Sequence, residues 1–229
     1  MKKKFFIILS LAITLSSCMS ATQVAPIETV EPTVNPISLI WIIEASNPNS
    51  PSYSPTSKAY AEFPEAISQI VASGDKRLEL SAELATAIYF PRPDAYLAGQ
   101  ALITFGSYIE SLSLPLFIGS LPKANAQART VTLLVLGTIG KFASCSMGHI
   151  GPLLWDNDPS TRTAAAWAIE KIIDEEMISD EYEKSINLLD LKLVTPDLPE
   201  GRITAGARTW WNEQGSKVNW HPNYDICDP

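Results

Sequence analysis

Part of this chain repeats itself, and the repeat limits what it can fold into. Residues 129–139 align with residues 162–172 at an offset of 33, setting Arg129 and Thr130 over Arg162 and Thr163, Leu136 over Ile169, and Ile139 over Ile172. One step earlier, Leu102, Phe105 and Gly106 match Leu136, Ile139 and Gly140 at an offset of 34. Each arginine follows another apolar stretch, 112–121 before Arg129 and 147–155 before Arg162, with Leu121 and Leu154 both eight residues upstream. The unit is a helix, a short polar turn, a second helix and a Gly-containing link. Such a unit cannot bury its apolar face alone and must stack on neighbours. Ala207, Arg208, Trp210 and Trp211 echo the second helix, after a further helix expected from Asp180 to Leu191.

The rest of the chain also reads as helices. Residues 60–72 carry Phe63, Ala66, Ile67, Ile70 and Val71 in an i, i+3, i+4, i+7 stripe that Gly74 stops. Residues 77–89 place Leu78, Leu80, Leu84, Ala85 and Ile88 at helical spacing and end at Pro91, Arg92 and Pro93, which cannot continue a helix. Asp94 is then the expected cap of a helix reaching Phe105. The apolar burst 38–43 fits either a buried strand or a short helix starting near Pro36. Residues 47–57, rich in serine and proline, form a loop.

The segment from Leu153 to Ile172, with Asp156, Asp158, Arg162, Ala165, Ala166, Ala168 and Ile169, resembles the HEAT repeat in its short bacterial form, which also occurs in phycobilisome lyases. The resemblance is good over 94–173 and weaker over 58–93 and 179–215. It implies an all-α fold: a right-handed α-solenoid of four to five antiparallel helix pairs spanning 36–215. Arg129 departs from the family pattern, because its preceding turn, Pro122 to Ala126, holds no aspartate. The physics agrees with the resemblance. The helix at 164–173 is apolar almost all round, so it needs cover on more than one side, and its alanines permit close approach.

The N-terminus reads as an address and an anchor. Lys2, Lys3 and Lys4 precede an apolar run from Phe5 to Leu15, too short for a membrane span and suited to a secretory signal. Leu15, Ser16, Ser17 and Cys18 resemble a bacterial lipobox, which implies a signal peptide of 1–17 and a lipid on Cys18. Residues 18–35 then form a flexible tether. The chain is expected to be extracytoplasmic, held to the cell membrane or outer membrane by its lipid. The signal holds three of the 17 basic residues and none of the 25 acidic ones, leaving the mature chain at −11. That charge repels phosphate backbones, so nucleic-acid binding is not expected.

Cys145 and Cys227 remain as a pair in an oxidising compartment. The expectation is that residues 216–229 run back along the last repeats and that Cys145 bonds Cys227, closing a loop worth on the order of 4 kcal/mol. Two free thiols, or a bond to another molecule, compete with this. Cys145 and His149 are four apart but lack an orienting third group. The two histidines have no partners at ligand spacing, so neither metal nor cofactor is expected.

Three further constellations admit two readings each. Asp156, Asn157 and Asp158 start like a calcium loop, but Pro159 breaks that pattern, and Asp158 as N-cap with Pro159 at N1 is preferred. Arg162 is then expected to bond the turn acids as a structural residue. Glu170, Asp174, Glu175, Glu176, Asp180, Glu181 and Glu183 read as a solvated acidic face. Trp210, Trp211, Trp220 and Tyr224 are candidates for stacking on sugar rings, although a tail covering the last repeat explains them better. No familiar catalytic or nucleotide-binding motif occurs. The expected function is a scaffold for a protein or peptide partner. The alternatives are a HEAT-like, lyase-type enzyme and a carbohydrate-binding envelope lipoprotein.

Overall fold

In the computed structural model, the described residues are 36–74, 78–106, 113–174, 186–187, 192–193 and 200–220. The expected signal, Cys18, the tether, most of the acidic run after Asp174, and the tail residues His221, Tyr224 and Cys227 lie outside them. Among the described residues the fold is helical. Its one β element pairs β1 (Ile186–Asn187) with β2 (Lys192–Leu193), antiparallel, with Ile186 opposite Leu193. This corrects the helix expected over 180–191. Two residues of that stretch belong to a ladder, and nothing in their apolar spacing separates the alternatives.

The burst at 38–43 is helical. In α1 (Pro36–Ala45), Leu39 and Ile43 are buried four residues apart, while Trp41 is 53% exposed on the other side. Next come α2 (Lys58–Ala61) and α3 (Phe63–Ser73). In α3 the stripe of Phe63, Ala66, Ile67 and Ile70 is buried, but Val71 faces solvent. The helix ends at Gly74, whose φ of 64° only glycine adopts cheaply. The helices α4 (Leu78–Ala87), α5 (Tyr96–Phe105) and α6 (Leu114–Ser120) follow. Beyond them lie α7 (Ala126–Ile139), capped by the Asn125 side chain, and α8 (Met147–Ile150) between two 3-10 segments. The last helices are α9 (Pro159–Ile173) and α10 (Glu200–Glu213).

The helices α5, α7 and α9 stop at residues spaced 34 apart: Gly106 (φ 62°), Gly140 (φ 68°) and Asp174 (φ 56°), the three positive-φ terminators after Gly74 among the described residues. The first two also share a ψ near −140°, a region open essentially to glycine alone. Asp174 instead takes the left-handed helical conformation that aspartate tolerates. The periodicity of the sequence is therefore a periodicity of chain reversals.

Packing follows the same rhythm. α3 contacts α5, α5 contacts α7, α7 contacts α9, and α9 contacts α10. In addition, α1 meets α4, α4 meets α6, and α6 meets the 3-10 segment Gly140–Ser146. α7 and α9 run parallel and in register. Thr130 hydrogen-bonds Thr161 through their hydroxyls at 3.2 Å, 31 residues apart. At the same spacing, Gly137 abuts Ala168 and Gly140 faces the carbonyl of Lys171. A Cβ on Gly137 would overlap the Trp167 ring and lie 3.0 Å from Ala168 Cα, so this glycine sets how closely the two helices approach. In α7 nearly every residue from Ala128 to Ile139 is buried, and α9 is buried likewise from Thr163 to Glu170. The helical run from Ala126 to Trp155 is apolar and long enough to cross a membrane by length and composition, yet 67% of its most apolar window is buried inside the protein. Gly140 bends that run back onto the core.

Candidate functional site: the turn before α9 and the C-terminal aromatic cover

Three Arg-Thr pairs recur in the second helices, and each arginine caps a turn. Arg129 Nη1 donates to the carbonyl of Ala124 at 2.6 Å. Arg162 Nη1 donates to the carbonyls of Asp156 and Asn157 at 2.7 and 3.0 Å. Arg208 reaches back to the carbonyl of Leu154 with Nε and Nη2 at 3.0 and 2.7 Å. Helix C-terminal carbonyls lack intrahelical partners, and a guanidinium satisfies two at once.

The carboxylate of Asp156 is held by Arg129, and the bonds described for Arg162 run to backbone oxygens. Arg162 thus meets the turn acid Asp156 through its backbone carbonyl. Arg129 Nη2 lies 3.3 Å from Oδ1 of Asp156, and Nε lies 3.2 Å from Oδ2. The Nε contact is an ion pair with poor alignment, since that buried N–H makes no hydrogen bond. The aspartate missing from the turn before Arg129 is thus supplied by the next turn along the chain. Asp156 Oδ1 also accepts from the Asp158 backbone at 2.9 Å, and Asp158 Oδ1 accepts from Thr161 N at 2.8 Å as the N-cap of α9, with Pro159 at N1. These bonds give both carboxylates structural employment. Among the described residues no group of three His, Cys, Asp or Glu side chains could hold a metal.

Glu170 departs from the solvated-face reading. It is 5% exposed on α9, with Lys171 Nζ 3.6 Å from its carboxylate. It occupies the position of Gly137 in the repeat, a buried one in both helices.

The tryptophans form a cover. Trp210 and Trp211 lie with ring centroids 6.3 Å apart, and Trp210 and Trp220 lie 6.5 Å apart. All three pack against the main core. A Cβ on Gly151 would overlap the Trp211 ring, so the indole sits directly on backbone. Trp220 donates its Nε1–H to the Gly215 carbonyl at 2.6 Å. All three remain half-buried, while Tyr224 lies outside the described residues. Cys145, 6% exposed in the 3-10 segment after α7, is disulfide-bonded; Cys18 and Cys227 both lie outside the described residues.

Two buried polar groups escaped the sequence reading. Arg92 is clamped between the rings of Tyr60 and Phe63, 4.1 Å from each centroid, and bonds Asp94, Ser46 Oγ (3.0 Å) and the Tyr60 carbonyl (3.1 Å). It ties α1, α2 and α3 to the turn before α5. Asp94 therefore serves Arg92, and α5 starts at Tyr96 with Ala95 in the N-cap position and no side-chain cap. The only signal was a charged residue between two prolines. Tyr89 donates to Thr132 Oγ1 at 2.8 Å, since that hydroxyl itself donates to the Ala128 carbonyl. Burial pushes the Tyr89 phenol up to about 12 despite hydrogen bonds with Thr132 and Ser120. Glu83 on α4 is also raised, first by burial and then by the nearby Glu44 of α1.

A cleft lined by Phe90, Arg92, Tyr96, Gln127 and Val131 has a cavity volume of about 10 Å³, the space of a single water. No family model, curated protein or solved structure matches this chain.

Proposed function

We propose that this chain is a lipid-anchored extracytoplasmic scaffold whose helical domain, a right-handed α-solenoid of HEAT type, displays a surface to a protein or peptide partner. The observation that carries the reading is the constant 31-residue spacing between touching residues of α7 and α9, joined to terminators 34 residues apart. Identical units stacked in register form extended surfaces suited to peptides and proteins. That step is an analogy of fold.

The export half rests on the lysine-rich, apolar leader ending at Cys18 and on the disulfide at Cys145, a bond that persists outside the reducing cytoplasm. A sugar-binding cover finds less support, because Trp210, Trp211 and Trp220 are spent on one another and on the core. The lyase-type reading rests on the family resemblance alone.

The test is binding by the mature domain to a displayed peptide library and to a glycan array in parallel. Selective peptide enrichment, lost when charges are reversed on one exposed face, is the expected result. Glycan binding without peptide binding would replace the scaffold with the carbohydrate reading. In cells, Cys18→Ala should leave the protein unprocessed or released from membranes. Membrane retention after high-salt washing, with normal processing, would remove the anchor from the proposal.

A further inference from the structure

Three arginines from three successive helices close on three consecutive residues. Arg208 of α10 donates twice to the Leu154 carbonyl. Arg162 of α9 donates to the Asp156 carbonyl, and Arg129 of α7 pairs with the Asp156 carboxylate. Between these points of attachment stands Trp155, 48% exposed at the end of the 3-10 segment Gly151–Trp155. The Arg208 guanidinium also lies 5.8 Å from the centre of its ring. The backbone on both sides of this indole is thus fixed, while nearly half of the residue meets solvent. The turn itself asks for no tryptophan, because the arginine bonds run to residues 154 and 156.

A large aromatic held still and left open is the arrangement of a binding hot spot. Little ordering remains to be done, and an apolar ligand covering the ring removes its surface from water. Charge selects the ligand. Arg129, Arg162 and Arg208 set three positive charges against the two carboxylates of Asp156 and Asp158, in a chain whose formal net charge is −8. Pro152 and Asn157, on either side of Trp155, are exposed and uncharged. We propose that Trp155 is the anchor of a docking surface for an acidic peptide, whose aliphatic or aromatic side chain covers the indole while flanking carboxylates approach the three guanidiniums. This rests on the scaffold reading above and adds to it the face used and the charge of the partner.

The experiment pans the full chain, purified from cells, against a random displayed peptide library, then measures the enriched sequences as synthetic peptides by fluorescence anisotropy. Acidic sequences with an apolar residue among the acids are expected. Trp155→Ala should weaken their binding about tenfold or more, and Trp155→Phe should retain most of it. Trp41→Ala, at the other exposed indole among the described residues, should change nothing. Asn157→Glu should weaken binding and Asn157→Lys strengthen it, both effects shrinking at high salt. Thermal melts establish that each variant folds. If Trp155→Ala does not, the Asn157 pair decides, since that exposed side chain lies outside the arginine bonds. Neutral or basic sequences, or undiminished binding in Trp155→Ala, would overturn this surface and leave the scaffold reading standing. No peptide enriched at all would remove the scaffold reading and this inference with it. Glycan binding lost in Trp155→Ala would reject the peptide and assign the indole to a sugar.

Discussion

Arg129 on α7 is ion-paired with Asp156 in the turn before α9, 27 residues further along the chain. The same guanidinium caps the Ala124 carbonyl in its own turn. One side chain thus joins two successive turns. Both partners are mostly buried, at 21% and 12% side-chain exposure, so losing either strands a charge. Arg129→Ala and Asp156→Ala should each lower stability by about 2–4 kcal/mol in urea unfolding of the mature domain. The double variant should cost about 1–2 kcal/mol less than the sum, the coupling expected of a direct contact. Additive losses would mean that the pair carries no interaction energy.

Gly137 and Gly151 are predicted to be intolerant of any side chain. Gly137→Ala presses on Trp167 and the backbone of Ala168, and Gly151→Ala presses on Trp211. Each should cost about 1–3 kcal/mol through overpacking. The two differ in rescue. Trp211→Leu should recover most of the loss at Gly151, because the obstruction there is one side chain. No single side-chain change should fully recover Gly137→Ala, where backbone also stands in the way. Thermal unfolding of Gly137→Ala, Gly151→Ala, Gly137→Ala with Trp167→Leu, and Gly151→Ala with Trp211→Leu checks this.

Tyr89 predicts a loss of stability in alkali. Its folded phenol titrates at about 12, above the ordinary value of 10, so the folded state holds the proton more tightly. The contribution is fully present below pH 10 and is lost as pH rises from 10 through 12, by about 2–3 kcal/mol in all. Tyr89→Phe should remove that component of the alkaline limb, leaving a shallower decline of stability between pH 10 and 12. Unfolding midpoints measured across that range, in wild type and variant, decide it.

Glu83 predicts a loss of the same sign at lower pH. Burial and Glu44 raise its carboxyl, so the folded state favours the protonated form. That favourable contribution is present at low pH and disappears as pH rises through the folded value. Glu83→Gln should therefore raise the melting temperature at pH 7 and leave it nearly unchanged at pH 4. An equal gain at both pH values would point to packing and not to charge.

The sequence by itself determined the helical class, the helix boundaries set by Gly74, Gly106, Gly140 and Asp158, and the period of 33–34 residues. These are local matters. A glycine terminator, a capping aspartate and an apolar stripe act within one or two turns of their own helix. Tertiary structure decided how the polar residues were spent. Asp94 reads locally as a cap, but Arg92 stands buried between Tyr60 and Phe63 and takes its carboxylate. Asp156 meets the nearby Arg162 through its backbone carbonyl, while its carboxylate is taken by Arg129 from the preceding unit. Glu170 reads as part of an acidic face, but α9 is covered on that side. In these cases burial outweighs closeness along the chain, because an unpaired charge costs more inside the core than any local preference returns.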